Sequence, residues 1–269
     1  MQSSKNLRII TLSPAATDTV FALGAGENLA GCVLQSRPKD PVYAALEKTG
    51  TAAEPDMDKI TALRPDMAIV SPGANRKEDI ESLASSGVEV ILLDGESVAQ
   101  ALRSIKDLGI VLNKRTEAEK LTTKIEYGIS TAGESVSSAG VIRTAFFTSS
   151  CPYAVAAGRS LAGELLSVNK LENIYRDIDK AEAEIDLSTL KLLDPQLILL
   201  PDYPRALTDA DAFEMGKYTE HALTVFVPGE MFVPGAGMAS IGEFYGRMNE
   251  KMRRFTDDNL ADRDKPTYF

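Results

Sequence analysis

The chain has no tryptophan, one histidine and two cysteines among its 269 residues. Each scarcity removes a class of chemistry. A single imidazole, His221, cannot build a multi-histidine metal site, and it leaves at most one candidate base for a Ser-His or Cys-His nucleophile. His221 itself follows a polar stretch, Lys217–Glu220, and is expected at the surface. Cys32 and Cys151 lack CxxC spacing, so neither a zinc site nor a disulfide framework is implied, and both are expected as small buried hydrophobes. No stretch approaches the ~20 uninterrupted apolar residues of a membrane-spanning helix, and no signal-peptide core opens the chain. Its polar start, Met1–Asn6, fits either a cytoplasmic protein or an exported one whose signal has been removed. Positive charge is also short: 29 Lys and Arg against 39 Asp and Glu give a formal net charge of −10. That sign is wrong for a surface that displaces counterions from phosphates, so no nucleic-acid partner is expected.

What is present is apolar mass, 44% of residues, arranged in short runs that alternate with amphipathic stretches. Strands alternating with helices build mostly parallel sheets. Strands are expected at Leu7–Leu12, Leu29–Leu34, Met67–Val70 and Val88–Leu93, and later at Arg143–Thr148, Leu197–Leu200 and Leu223–Val227. Helices are expected at 15–23, 41–48, 57–64 and 76–86 in the first half and at 159–168, 187–193 and 237–255 in the second. Between the halves, 97–112 and 114–138 read as helical, the latter long enough to span about 35 Å as a stiff strut. The expected architecture is α/β throughout: two Rossmann-like lobes, 1–112 and 141–269, joined by a bridging helix within 113–140.

An internal repeat supports two similar lobes. DMDKITALRPDMAIV, from Asp56, and DLSTLKLLDPQLILL, from Asp186, share Asp, apolar residues at helical spacing, Pro and an apolar strand. Asp56 matches Asp186, Ile60 matches Leu190, Leu63 matches Leu193 and Pro65 matches Pro195. Both copies encode a capped helix that a proline ends before a buried strand.

Open parallel sheets bind ligands beyond the carboxyl ends of their strands. The loops so placed are Ser13-Pro14, Gln35–Arg37 and Ser71–Arg76 in the first lobe, and Ser149–Tyr153, Pro201–Arg205 and Gly229–Phe232 in the second. With the lobes facing each other these loops would line one cleft. Arg37, Arg76 and Arg205 would serve as anion partners, and Tyr153, Tyr203, Met231 and Phe232 as flat or soft apolar contacts. Catalytic constellations are thin. Ser150-Cys151 lacks a GxSxG elbow. The glycines of GAGENLAG (24–31) come after a helix and before a strand, the reverse of a dinucleotide cradle, and Gly24 reads as a helix C-cap.

RIITLSPAATDTVFALGAGENLAG (8–31), DMDKITALRPDMAIV (56–70), LASSGVEVILLD (83–94), SVAQALRSIKDLGIVLNKRTEAEKL (97–121) and AAGRSLAGELLSVNKLENIY (156–175) together carry a family likeness. The chain resembles the cluster of ABC-transporter solute-binding proteins for iron chelates and vitamin B12. The resemblance implies two lobes on one long helix, a ligand in the cleft, limited lobe closure, and a periplasmic or lipid-anchored extracellular location. It implies no enzyme activity, no resident cofactor, no metal site on the protein itself, a monomer, and a transmembrane permease as partner. The family's permease-docking acid falls on Asp58 in the first lobe; in the second it falls on Ser188, with Asp186 two residues away. Where haem binders carry a ligating Tyr this chain has Thr51, and where B12 binders carry a Trp it has Ala52. The implied cargo is a ferric siderophore, a corrinoid or another anionic metal complex, with Arg37, Arg76 and Arg205 as charge partners. The rival is a cytoplasmic bilobal α/β enzyme or cofactor-handling protein using Cys151 or Glu230.

Overall fold

Strand β1 (Ile9–Thr11) is buried along its whole length, as a parallel strand covered by helices on both faces must be. The computed structural model of the protein describes residues 7–34, 41–134, 141–257 and 267–268. The chain divides into two compact units. Met1–Gly95, Ala99–Thr123 and Val233–Met238 form the first; Glu96–Val98, Lys124–Phe232 and Ala239–Phe269 form the second.

In the first unit β1 is followed by α1 (Pro14–Ala22), β2 (Leu29–Cys32), α2 (Val42–Ala45), β3 (Glu47–Lys48), α3 (Met57–Leu63), β4 (Met67–Val70), α4 (Lys77–Ser85), β5 (Glu89–Leu92) and α5 (Val98–Val111). The strands make one parallel sheet in the order β3-β2-β1-β4-β5. Ser13 caps α1 by accepting the Ala16 N–H at 3.0 Å, and Pro14 takes the first turn, where its missing N–H costs nothing. Gly24, at φ +67, ends the helix in the left-handed conformation that glycine adopts without a Cβ penalty. Ile10, Leu12, Ile60, Val70 and Leu83 fill the core between the sheet and helices α3 and α4. The helix expected over 41–48 is short. It stops at Ala45, and Glu47 and Lys48 pair with Gly31 and Cys32 as an edge strand.

Helix α6 (Arg115–Glu134) is 20 residues long, about 30 Å. Residues 135–138 of its expected span lie outside the described residues. The division between the units falls within α6 rather than at its ends. The segment Val233–Met238 also returns to the first unit, where the Ala236 N–H donates to Thr19 Oγ1 at 2.9 Å.

The second unit contains β6 (Ile142–Ser150), β7 (Tyr153–Ala156), α7 (Leu161–Val168), β8 (Leu171–Asn173), β9 (Glu182–Glu184), α8 (Thr189–Leu193), β10 (Leu197–Pro201), α9 (Asp209–Gly216), β11 (Leu223–Val227), α10 (Ile241–Asp257) and β12 (Thr267–Tyr268). Its sheet runs β12-β11-β10-β6-β7-β9, with β8 also paired to β6. The β12-β11-β10-β6 and β6-β8 pairings are parallel; β6-β7 and β7-β9 are antiparallel. Phe147, Leu190, Ile198, Leu200 and Met215 form its core. Both units are therefore α/β with mostly parallel sheets. Among the described residues no helix is long and apolar enough to cross a membrane.

The repeat is visible in the backbone. Arg64 and Asp194, each just before a proline, are left-handed at φ 46 and φ 40 and close α3 and α8, in keeping with the bias of pre-proline residues away from the right-handed helical region. The caps differ. Asp56 Oδ1 accepts the Lys59 N–H at 3.0 Å, whereas Asp186 Oδ1 accepts the nearer Ser188 N–H at 2.8 Å, one turn-forming step ahead of α8.

Candidate functional site

At the carboxyl ends of β1 and β4 the chain leaves the first sheet through two hydroxyl-bearing turns. Ser13 Oγ and Ser71 Oγ lie 2.8 Å apart. Ser13 is fully buried and its hydroxyl also caps α1, so the structure corrects the expectation of an open ligand contact: Ser13 shapes the loop from inside. Pro14 is half-buried in the first turn of α1. Asn75 lies beneath these turns. Its Nδ2 donates to Leu12 O at 2.6 Å and to Ala52 O at 2.9 Å, and its Oδ1 accepts the Ser71 N–H at 2.8 Å. Ala52 sits in the turn after β3, which is closed by Thr51 N–H to Glu54 O at 3.0 Å and by Glu54 N–H to Thr51 Oγ1 at 3.0 Å.

The arginines give a different electrostatic picture from the one expected. Arg76 Nε and Nη2 donate to the two carboxylate oxygens of Asp79 at 2.8 and 3.3 Å. The hydrogen bond and charge of Asp79 hold the guanidinium above its ordinary pKa. Arg205 Nη1 lies 3.5 Å from Glu182 Oε1, with both side chains about half exposed. Arg37 lies outside the described residues. Two of the three nominated cations are thus already matched by carboxylates of their own unit.

In the second unit Tyr153 belongs to a strand rather than a loop. It opens β7, and its hydroxyl donates to Asp211 Oδ1 at 3.4 Å. Partial burial, with the charge of Asp211, pushes its phenol up. The turn between β6 and β7 leaves Cys151 exposed, while Cys32 is buried as expected, with Lys48 Nζ 3.5 Å from its Sγ. Tyr203 is half-buried, and its backbone comes so near Gly229 that a Cβ there would lie 1.9 Å from Tyr203 O. Asp202 Oδ1 accepts the Gly229 N–H at 2.8 Å, tying the loops after β10 and β11 together. A cavity of about 330 Å³ opens beside this tie, lined by the polar Asp202, Thr208 and Asp209 and by the apolar Leu207 and Phe226 among others.

Met231 and Phe232 are core residues, each 5% exposed, and not the accessible contacts expected of them. A short 3-10 turn (Gly229–Phe232) folds Phe232 against Phe146 and Phe244, with ring centroids at 4.7 and 5.9 Å. The intervening Glu230 stays half-buried. Burial, with the negative charge of Asp202, raises its carboxyl above the usual range although its backbone N–H opposes the shift. Asp58, in the first turn of α3, and Asp186 are both exposed. The bond from Ser188 holds the Asp186 carboxyl low. His221 is exposed. Among the described residues no three His, Cys, Asp or Glu side chains converge as a metal site.

Asn75 and the Asp202–Gly229 tie are the residues that sequence reasoning did not single out. Both lay within nominated loops, and the one available signal was the glycine at the start of GEMF.

The sequence profile of a family described as Periplasmic binding protein matches residues 9–214. A vitamin B12-binding protein of Pectobacterium carotovorum subsp. carotovorum (strain PC1) is 23% identical over 221 residues, covering 81% of this chain and 79% of that protein. The crystal structure of an ABC transporter substrate-binding protein from Listeria monocytogenes EGD-e superposes with a TM-score of 0.74 at 19% identity, over 91% of this chain and 98% of that one. A periplasmic haem-binding protein of Vibrio cholerae gives 0.72 at 18% identity, over 92% and 99%.

Proposed function

From the premise that the chain belongs to the periplasmic binding protein family, we propose that it is a non-enzymatic receptor of an ABC importer that captures a metal chelate of corrinoid type. Its solute is held by the strand-end loops and passed to a transmembrane permease. The chain works as a monomer outside the inner membrane, either in the periplasm, as its family implies, or held at the outer surface by a lipid anchor.

The observation that carries the choice of chelate is the pairing of Arg76 with Asp79 and of Arg205 with Glu182. Haem and many ferric siderophores carry carboxylates or net negative charge, which call for unneutralised cations. A corrinoid presents a rim of neutral amides instead, and hydroxyl, amide and backbone groups such as those at Ser71, Thr51 and Tyr203 suit it. The vitamin B12-binding relative supports the same reading. The exposed carboxylates Asp58 and Asp186 are proposed to meet basic residues of the permease, where complementary charge sets register and association rate more than affinity.

Titration with cyanocobalamin, haemin and a ferric catecholate siderophore, followed by calorimetry, tests the reading. Saturable binding of cyanocobalamin at about 1 µM or tighter is expected, worth roughly 8 kcal/mol. Saturation by haemin or the siderophore with a flat cyanocobalamin trace would assign the anionic class instead.

A further inference from the structure

We propose that Asn75 is a positioning residue of the solute site: buried itself, it clasps three strand-end loops of the first unit and fixes their backbones in the arrangement a solute meets. The inference rests on the receptor reading and deepens it.

Asn75 is 7% exposed, so its side chain acts on the protein. All three of its amide bonds go to backbone, and two reach far along the chain, to Leu12 and to Ala52. An amide suits this place because it offers two donors and an acceptor on one planar group. Aspartate would set a carboxylate against two carbonyl oxygens, and alanine would remove all three bonds at once.

The clasped points lie where the ladder ends. Leu12 N–H still bonds Ile69 O at 3.0 Å, but the next residue, Ser13, is already the cap of α1. Ser71 follows the last residue of β4, and Ala52 sits in the separate turn between Gly50 and Pro55. Each turn has its own local bonds; Asn75 adds bonds that tie the three to one another. Low local dielectric strengthens such a buried group. With the loops ordered in advance, a solute does not bear the cost of immobilising them, which is how preorganisation raises affinity.

The test compares the full chain with Asn75→Asp and Asn75→Ala, by deuterium exchange and by cyanocobalamin titration. The clasp predicts exchange faster by about tenfold or more in all three segments, 11–15, 49–55 and 69–76, with β6, β10 and β11 unchanged. It also predicts cyanocobalamin affinity lower by about tenfold. Faster exchange confined to 69–76 would overturn the clasp, and so would loosened loops with affinity within about twofold of wild type. If the unaltered protein bound no cyanocobalamin, the receptor reading would lose its ligand while the exchange arm still decided the clasp. Should both variants fail to fold, the Asn75 side-chain amide protons of the wild-type protein decide. Exchange slowed by about a hundredfold relative to an exposed asparagine supports the clasp, and unprotected exchange overturns it.

Discussion

Asp66 and Gln196 hold the same place in two copies of one unit. Asp66 Oδ2 accepts the Arg8 N–H and Gln196 Oε1 accepts the Arg143 N–H, both at 3.0 Å. The reverse bonds match as well, Asp66 N–H to Arg8 O at 2.9 Å and Gln196 N–H to Arg143 O at 2.8 Å. One residue after each helix-ending proline, a side-chain oxygen fastens the start of the neighbouring strand. Asp66→Ala and Gln196→Ala should each cost about 1 kcal/mol in urea unfolding, while Asp66→Asn, which keeps an acceptor, should cost less than about half of that. Equal losses for Asn and Ala would show that the carboxylate charge, not the acceptor, matters.

The repeat was legible because its signals are local. Asp56 and Asp186 open, and Pro65 and Pro195 close, helices of matching spacing before apolar strands. Parallel strands buried on both faces also read as continuous apolar runs, so Met67–Val70 and Leu223–Val227 are where they were expected. Glu47–Lys48 was missed because two charged residues become a strand only through their register on β2. Tyr153, expected in a loop, instead opens a strand, because β7 and β9 add an antiparallel edge to an otherwise parallel sheet. Met231 and Phe232 follow a strand, which suggested accessibility; the 3-10 turn that buries them depends on Phe146 and Phe244 from distant segments. The three bonds of Asn75 likewise join positions that no periodicity connects.

Gly229 has no room for a side chain. An added Cβ would meet the backbone of Tyr203 at 1.9 Å for O, 2.7 Å for C and 2.8 Å for N, all atoms that cannot rotate away. Gly229→Ala should therefore destabilise the second unit by about 2–3 kcal/mol, near the top of the range for overpacking. It should also displace the Asp202 tie. Calorimetric unfolding checks the first effect; an unaltered melting temperature would mean that the loop after β10 yields easily.

Glu230 makes stability fall as the pH rises. Its folded carboxyl titrates above the ordinary value, so between the unfolded and folded pKa the native state binds more protons than the unfolded one. The stabilisation this carboxyl adds is full below the unfolded carboxyl pKa of about 4.3 and is lost as pH climbs through the raised folded value. Glu230→Gln should thus be more stable than wild type at neutral pH, with the difference closing in acid. Urea midpoints across that range would show it, and parallel profiles would mean that the carboxylate is well solvated in the fold.

Substitution at Asp58 tests the proposed division between capture and delivery. The residue is exposed in the first turn of α3, so Asp58→Lys should leave cyanocobalamin binding within about twofold. If Asp58 faces basic residues of the permease as proposed, uptake by cells carrying the importer should fall, because the substituted side chain would set like charges against each other. Normal uptake by that variant would remove Asp58 from the docking surface.

Substitution of Arg76 and Arg205 tests the charge class of the proposed cargo. If the solute is a neutral-rimmed corrinoid, Arg76→Ala and Arg205→Ala should change its affinity by less than about threefold, since Asp79 and Glu182 already engage both guanidinium groups. An anionic chelate would have to draw them away from those carboxylates and hold them in charge-assisted bonds. Removal of either would then cost about tenfold or more, and the loss would shrink as salt is raised, because exposed charges are screened over roughly 8 Å at physiological ionic strength. The salt series separates the two outcomes even where a substitution perturbs the loop, because a packing defect does not scale with ionic strength.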